Sequence, residues 1–172
     1  MKNEWIQTID DEGKTPLDRA FHSGHMAIAE LMLRQDRLDK EECEKGLYSP
    51  IDRAAYFGLC KAVEVLLHTT NPDLRDRHGE TALHKAVRGG NVETTALLVD
   101  VCDVNVRSGD GMTALHWACL RGELEIVRML LSADADPNMR NEALDGLTPK
   151  DLAHLMAHEE LTELLSAREA FV

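Results

Sequence analysis

The sequence predicts an all-α fold, a solenoid of stacked helix-turn-helix units joined by connecting finger turns. Three observations predict it. A Thr or Ser anchor recurs at Thr15, Ser49, Thr81, Thr113 and Thr148, at intervals of 34, 32, 32 and 35 residues. Five residues after each anchor stands alanine: Ala20, Ala54, Ala86, Ala118 and Ala153. Nine residues after it stands glycine in four units, Gly24, Gly58, Gly90 and Gly122, with Ala157 in the fifth. Self-similarity at such a period marks a repeat array, in which each unit buries its apolar face only by stacking on neighbours.

The third unit shows the elements in order. The Thr81 hydroxyl caps a short helix by satisfying a free amide, and Gly90 ends that helix in the left-handed conformation. A second helix, from about Asn91 to Val99, carries Val92, Ala96, Leu97 and Leu98 at helical spacing. Asp103-Val104-Asn105 then leads into a polar turn, Ser108-Gly109-Asp110-Gly111, before the next anchor. Neither helix is long enough to stand alone in water. The small residue at the fifth position lets neighbouring helices approach. At the seventeenth position Met32, Leu66, Leu98, Leu130 and Leu165 supply the core of the second helices. The repeats fall at about 10–43, 44–75, 76–107, 108–142 and 143–172, a single domain over 1–172 with the first and last as caps.

Composition agrees. Apolar residues make up 44% and charged residues 29%, the balance of a folded soluble chain. Aromatics are 4%, so the core is aliphatic. The net charge of −12 argues against a broad nucleic-acid footprint. No apolar run is long enough to cross a membrane, and the opening residues lack the apolar stretch of a secretory signal. The four cysteines show no C-x-x-C spacing, which fits reduced thiols in a cytoplasmic or nuclear protein.

These residues resemble the ankyrin repeat. The resemblance is carried by Asp10-Asp11-Glu12-Gly13-Lys14-Thr15-Pro16-Leu17, by Asp76-Arg77-His78-Gly79-Glu80-Thr81-Ala82-Leu83-His84, and by Gly111-Met112-Thr113-Ala114-Leu115-His116. It covers nearly the whole chain. It implies a concave face lined by first helices and turn tips, and a role in binding another protein without catalysis.

The departures from the pattern carry expectations of their own. Repeat two has Glu44-Lys45-Gly46-Leu47 in place of the Asp-x-x-Gly turn, after a highly charged stretch from Arg34 to Lys45. An irregular or extended finger is expected there, with fast hydrogen exchange. Repeat five carries Lys150 and His154 where leucine and a small residue are usual, which suits a cap facing water. Phe21, with Trp5, Ile6 and Ile9, is placed to cover the amino-terminal end.

Little in the sequence points to chemistry. His84 and His116, three residues after their anchors, match the family's Thr–His hydrogen bond, which ties one repeat to the next. His154 and His158 straddle the break between two helices and lack a third ligand, so no metal or cofactor is expected. Cys119 occupies a buried slot, where a thiol is inert. Gly89-Gly90 and Gly109-x-Gly111 are turn glycines rather than a phosphate loop. The acidic residues are read as solvent-facing, without a pocket to shift their ionisation. Leu97 followed by Asp103-Val104-Asn105 resembles the site modified by asparaginyl hydroxylases, which makes Asn105 the modification candidate.

The resemblance places partner contacts on the first helices and tips. Those positions carry Arg19, His22, Arg53, Tyr56, Phe57, Lys85, Arg88, Trp117, Leu120 and Arg121, with Tyr48, Arg77 and Met112 at the tips. Five of the basic residues fall on the first-helix rows of an acidic chain, so the face reads as basic with aromatic anchors. Aromatic and arginine side chains dominate interface energies, and an acidic segment is the expected complement. The function expected is that of an adaptor, or an inhibitor acting by occupancy, monomeric when free. The alternative is a structural or regulatory subunit of a stable assembly, using Leu144, Leu147, Leu152, Leu155 and Met156 as an apolar patch.

Overall fold

The computed structural model describes residues 10–11, 15–23, 25–35, 49–68, 70–142 and 146–169. These residues form helices and turns, with no strand among them. The helices come in five successive pairs. They are α1 (Pro16–His22) with α2 (Met26–Gln35), and α3 (Pro50–Tyr56) with α4 (Cys60–Leu67). Then follow α5 (Ala82–Gly89) with α6 (Val92–Val99), α7 (Ala114–Arg121) with α8 (Leu124–Ser132), and α9 (Pro149–Leu155) with α10 (Glu159–Glu169). Each first helix packs on its own second helix. The first helices α3, α5, α7 and α9 also pack side by side, and so do α2, α4, α6, α8 and α10. The result is the two-layer helical solenoid that the period predicts.

The anchors work as expected. Ser49, Thr81, Thr113 and Thr148 are extended residues at helix N-caps. The third residue of each helix reaches back to the cap: Asp52, His84, His116 and Asp151. That exchange satisfies amides which the helix itself leaves open. Gly90 and Gly122 close α5 and α7 at φ 70° and 77°. Ala157 takes the same left-handed conformation, at φ 58°, in the fifth repeat.

The core runs the length of the stack. The fifth-position alanines are buried in every repeat, and Leu66, Leu98, Leu130 and Leu165 are buried with them. Leu83, Leu115 and Leu152 add the apolar face of the first helices. In repeat five His154 is exposed and Lys150 half-buried, so the polar residues there do face outward. The expected finger of repeat two and its charged approach over 36–48, the amino-terminal Trp5, Ile6 and Ile9, Gly24, Leu144 and the side chain of Phe21 lie outside the described residues.

Candidate functional site

Side-by-side packing of the first helices brings their outer positions into rows that cross the repeats. The seventh and eighth positions after the anchors read Tyr56 and Phe57, Arg88 and Gly89, Leu120 and Arg121, then Leu155 and Met156. Tyr56 is 45% and Phe57 43% exposed. Their rings meet edge to face, with centroids 5.3 Å apart and planes at 84°. Leu155 is 69% exposed and Met156 47%. Leu120 is half-buried and Arg121 exposed. At the tips Arg77 is exposed, its Nε 3.0 Å from Nε2 of His78. Tyr48 and the side chain of His22 lie outside the described residues.

The cations of this face are not bare. Arg19 bonds Asp10 at 2.7 Å. Arg53 donates to the Thr15 hydroxyl at 2.7 Å. Nη1 of Arg88 lies 2.8 and 2.9 Å from the two oxygens of Glu80. Arg121 meets Glu123 at 3.3 Å. The basic residues expected on this face are thus engaged by carboxylates and a hydroxyl of the chain itself.

Three predicted contact residues are placed inward. Lys85 is only 2% exposed and bonds Asp76 at 2.7 Å and Glu80. Four methylenes and an ammonium are taken from water together because two carboxylates receive the charge. Met112 is 2% exposed, and its sulfur lies 3.5 Å from Nδ2 of Asn141. Trp117 packs half-buried on the core, and the Arg88 guanidinium covers its ring at 4.7 Å from the centroid.

Sequence reasoning missed the buried charges that result. Asp76 is held below the usual carboxylate range, despite burial, by bonds from Lys85 and from the amides of Glu80 and His78. Asp52, in the first turn of α3, is buried, with its Oδ2 accepting from the amide and hydroxyl of Ser49. Its Oδ1 is enclosed without a hydrogen-bond partner. Burial pushes Asp52 up to about 6, against the Ser49 bonds and the Lys85 charge. The expectation that acidic residues stay on solvent-facing positions fails here. One signal was present: Asp76, Glu80 and Lys85 occupy the register positions that hold Ser108, Met112 and Trp117 one repeat later.

The histidines are structural. Nδ1 of His84 accepts from the Thr81 amide at 3.2 Å, and Nε2 lies 3.2 Å from the Met112 carbonyl. A carbonyl only accepts, so Nε2 carries the proton and Nδ1 does not. His116 repeats this with Thr113 at 3.1 Å and the Leu147 carbonyl at 3.2 Å. The Thr–His contact lies within one repeat; the tie to the next is the Nε2 bond. Burial lowers the basicity of both rings, so both stay neutral near pH 7. Asn105 also joins repeats, with Nδ2 donating to the Asp134 carbonyl at 3.1 Å and Oδ1 accepting from the Asp136 amide at 2.8 Å. Burial pushes the thiols of Cys102 and Cys119 up to about 12, away from nucleophilic thiolate. His154 and His158 flank the α9–α10 break, and no cluster of three metal-ligating side chains occurs among the described residues. No described helix is long and apolar enough to cross a membrane.

A family model of ankyrin repeats, in three copies, matches residues 51–141. Alpha-latrotoxin-Lhe1a of Latrodectus hesperus is 30% identical over 92 residues, 52% of this chain and 6% of that protein. Alpha-latrotoxin-Lh1a of Latrodectus hasselti is 30% identical over 92 residues, 52% of this chain and 7% of that protein. Alpha-latrotoxin-Lg1a of Latrodectus geometricus is 33% identical over 87 residues, 49% of this chain and 6% of that protein. The chain thus spans less than a tenth of the length of these curated relatives. Ankyrin repeats are typically non-catalytic modules that mediate protein–protein interaction. Anchors, left-handed caps, layered helices and the matched residues agree, and the chain belongs to the ankyrin repeat family.

Proposed function

We propose that this chain is a non-catalytic module that binds another protein on the face made by its first helices and finger tips. It acts by occupancy, as an adaptor or an inhibitor, and is monomeric when free. The whole of 1–172 serves as one domain, with contact residues Arg19, Arg53, Tyr56, Phe57, Arg77, Arg88, Leu120 and Arg121. The observation that carries this reading is the side-by-side packing of α3, α5, α7 and α9, which gathers residues from four repeats into one face. Lys85, Met112 and Trp117 are left out of the contact set because their side chains are spent on internal packing. The free thiols of Cys60, Cys102 and Cys119 support a reducing compartment, the cytoplasm or the nucleus. Asn105 stays the modification candidate, its amide serving the link between repeats.

The test compares affinity capture by the wild type with capture by a Tyr56→Ala/Phe57→Ala/Arg121→Ala variant. A control variant carries Glu64→Ala, Glu93→Ala and Glu125→Ala on the second helices. Partners lost from the first variant and kept by the control support the face. Loss from the control alone would place the contact on the opposite layer. The exposed Leu155 and Met156 favour a second reading, a subunit of a stable assembly. Size-exclusion separates the two, since a monomeric peak at working concentration speaks for the transient binder.

A further inference from the structure

Among the described residues, seven large apolar side chains stand exposed: Ile28, Leu31, Tyr56, Phe57, Val101, Leu155 and Met156. Four of the seven fall at the seventh and eighth positions of the first-helix row. They are grouped as two pairs, one at each end: Tyr56 and Phe57 closing α3, Leu155 and Met156 closing α9. Between them stand Arg88 and Arg121, each with a carboxylate in contact.

We propose that this row receives an extended segment of another protein, one that presents a bulky apolar side chain near each end and carries no net negative charge between. The proposal rests on the reading above, that the first-helix face is the partner site, and narrows it to one chemistry. Packed helices lie about 8–10 Å apart, so the three steps from α3 to α9 span roughly 25–30 Å. An extended chain covers that in about eight or nine residues at ~3.3 Å each. A helix laid along the row would need about eighteen. The edge-to-face pair of Tyr56 and Phe57 offers large apolar area at little cost in side-chain freedom, as rings have only two rotatable bonds.

The charges set the middle of the segment. A partner carboxylate on Arg88 would come up beside Glu80, whose two oxygens already hold Nη1 of that guanidinium, and would meet a like charge there. A partner carboxylate on Arg121 would likewise sit beside Glu123. The surrounding chain is also strongly negative, at −12, which repels an acidic segment on approach. A neutral, apolar-ended segment meets neither obstacle.

The experiment pans a phage-displayed library of random peptides, long enough to span the row, against the wild-type chain. Enriched peptides are synthesised and titrated by fluorescence polarisation against wild type, Phe57→Ala, Leu155→Ala, Leu155→Gln, Arg121→Glu and the control Glu64→Lys. Circular dichroism checks each fold, and these positions are exposed, so the core is left intact. The expected peptides carry two separated bulky apolar residues and no excess of Asp or Glu. Phe57→Ala and each Leu155 variant should then weaken binding about tenfold or more, with Arg121→Glu costing less than these end variants and the control Glu64→Lys within about twofold of wild type. Acidic peptides lost only in Arg121→Glu would overturn the segment chemistry and leave the face standing. Peptides that bind every variant equally would overturn both the segment and the face. A library that yields no enriched sequence also overturns the segment.

Discussion

Ala157 holds a backbone conformation that its own side chain disfavours. At φ 58° it occupies the slot that glycine fills at the ends of α5 and α7. The left-handed region costs an L-residue roughly 1–2 kcal/mol, against about 0.5–1 kcal/mol of extra chain entropy for glycine. Ala157→Gly should therefore stabilise the protein by about 0.5–1 kcal/mol, read as a raised midpoint in urea. An unchanged or lowered midpoint would contradict the strain. Asp52 is a second such residue. Its carboxyl is raised from 3.8 to about 6 by burial, so the native state binds a proton more tightly than the unfolded one. A raised acid contributes stability below its unfolded value and loses it as pH rises through its folded value. Above pH 6 the folded chain thus carries the cost of an ionised, buried Asp52. Asp52→Asn should be more stable than wild type at pH 7, by up to about 3 kcal/mol for a shift of this size. That advantage should fade as pH falls from 6 to 4. The difference between the two proteins is the quantity to measure, because His84 and His116 titrate in the opposite sense in both. Their lowered basicity gives stability that is present above about 6.5 and lost toward acid.

At the scale of the element, α5 and its finger are held by charge where α7 and its finger are held by a hydrogen-bonded serine and by apolar packing. Asp76, Glu80 and Lys85 form the one set, Ser108, Met112 and Trp117 the other. Lys85→Met should cost about 3–5 kcal/mol, because it leaves enclosed Asp76 without its cation and Glu80 with Arg88 alone. The triple change Asp76→Asn/Glu80→Gln/Lys85→Met should recover most of that, as measured by chemical denaturation. If the single variant were nearly neutral, the ammonium would be contributing nothing net. The helices were legible from the sequence because period, caps and alanines are local signals. The polar trio was not, because burial belongs to the contact between neighbouring units, and Lys at a first-helix position reads as a solvated face. The same reason hid the carboxylate partners of Arg88, Arg121 and Arg19. Charge rows can be aligned by register, but their ion pairs depend on side-chain reach across turns. Of the aromatic and apolar positions on these rows, Tyr56 and Phe57 stand exposed, whereas Trp117 and Met112 turn inward.

At the scale of the whole molecule, repeats are coupled by a few long-range bonds laid over a continuous core. His116 ties repeat four to the carbonyl of Leu147 in repeat five. His116→Ala removes that tie and the return bond to Thr113, a loss of about 1–3 kcal/mol. Repeat arrays lose stability locally, between neighbours. Hydrogen exchange should therefore quicken across 148–169 before it quickens across 82–99. A uniform rise over all repeats would mean that the stack unfolds only as one unit.

Four of the ties between repeats share one property. Arg75 donates to the carbonyl of Arg107, and Arg107 to that of Arg140. His84 reaches the carbonyl of Met112, and His116 that of Leu147. Each of these four acceptors is a main-chain oxygen, which any amino acid supplies, so these bonds survive when a unit is duplicated, deleted or exchanged. The stacking of Arg88 on Trp117, the Arg53–Thr15 bond and the Arg107–Glu142 pair do demand matched side chains, and those junctions are where such shuffling would meet resistance.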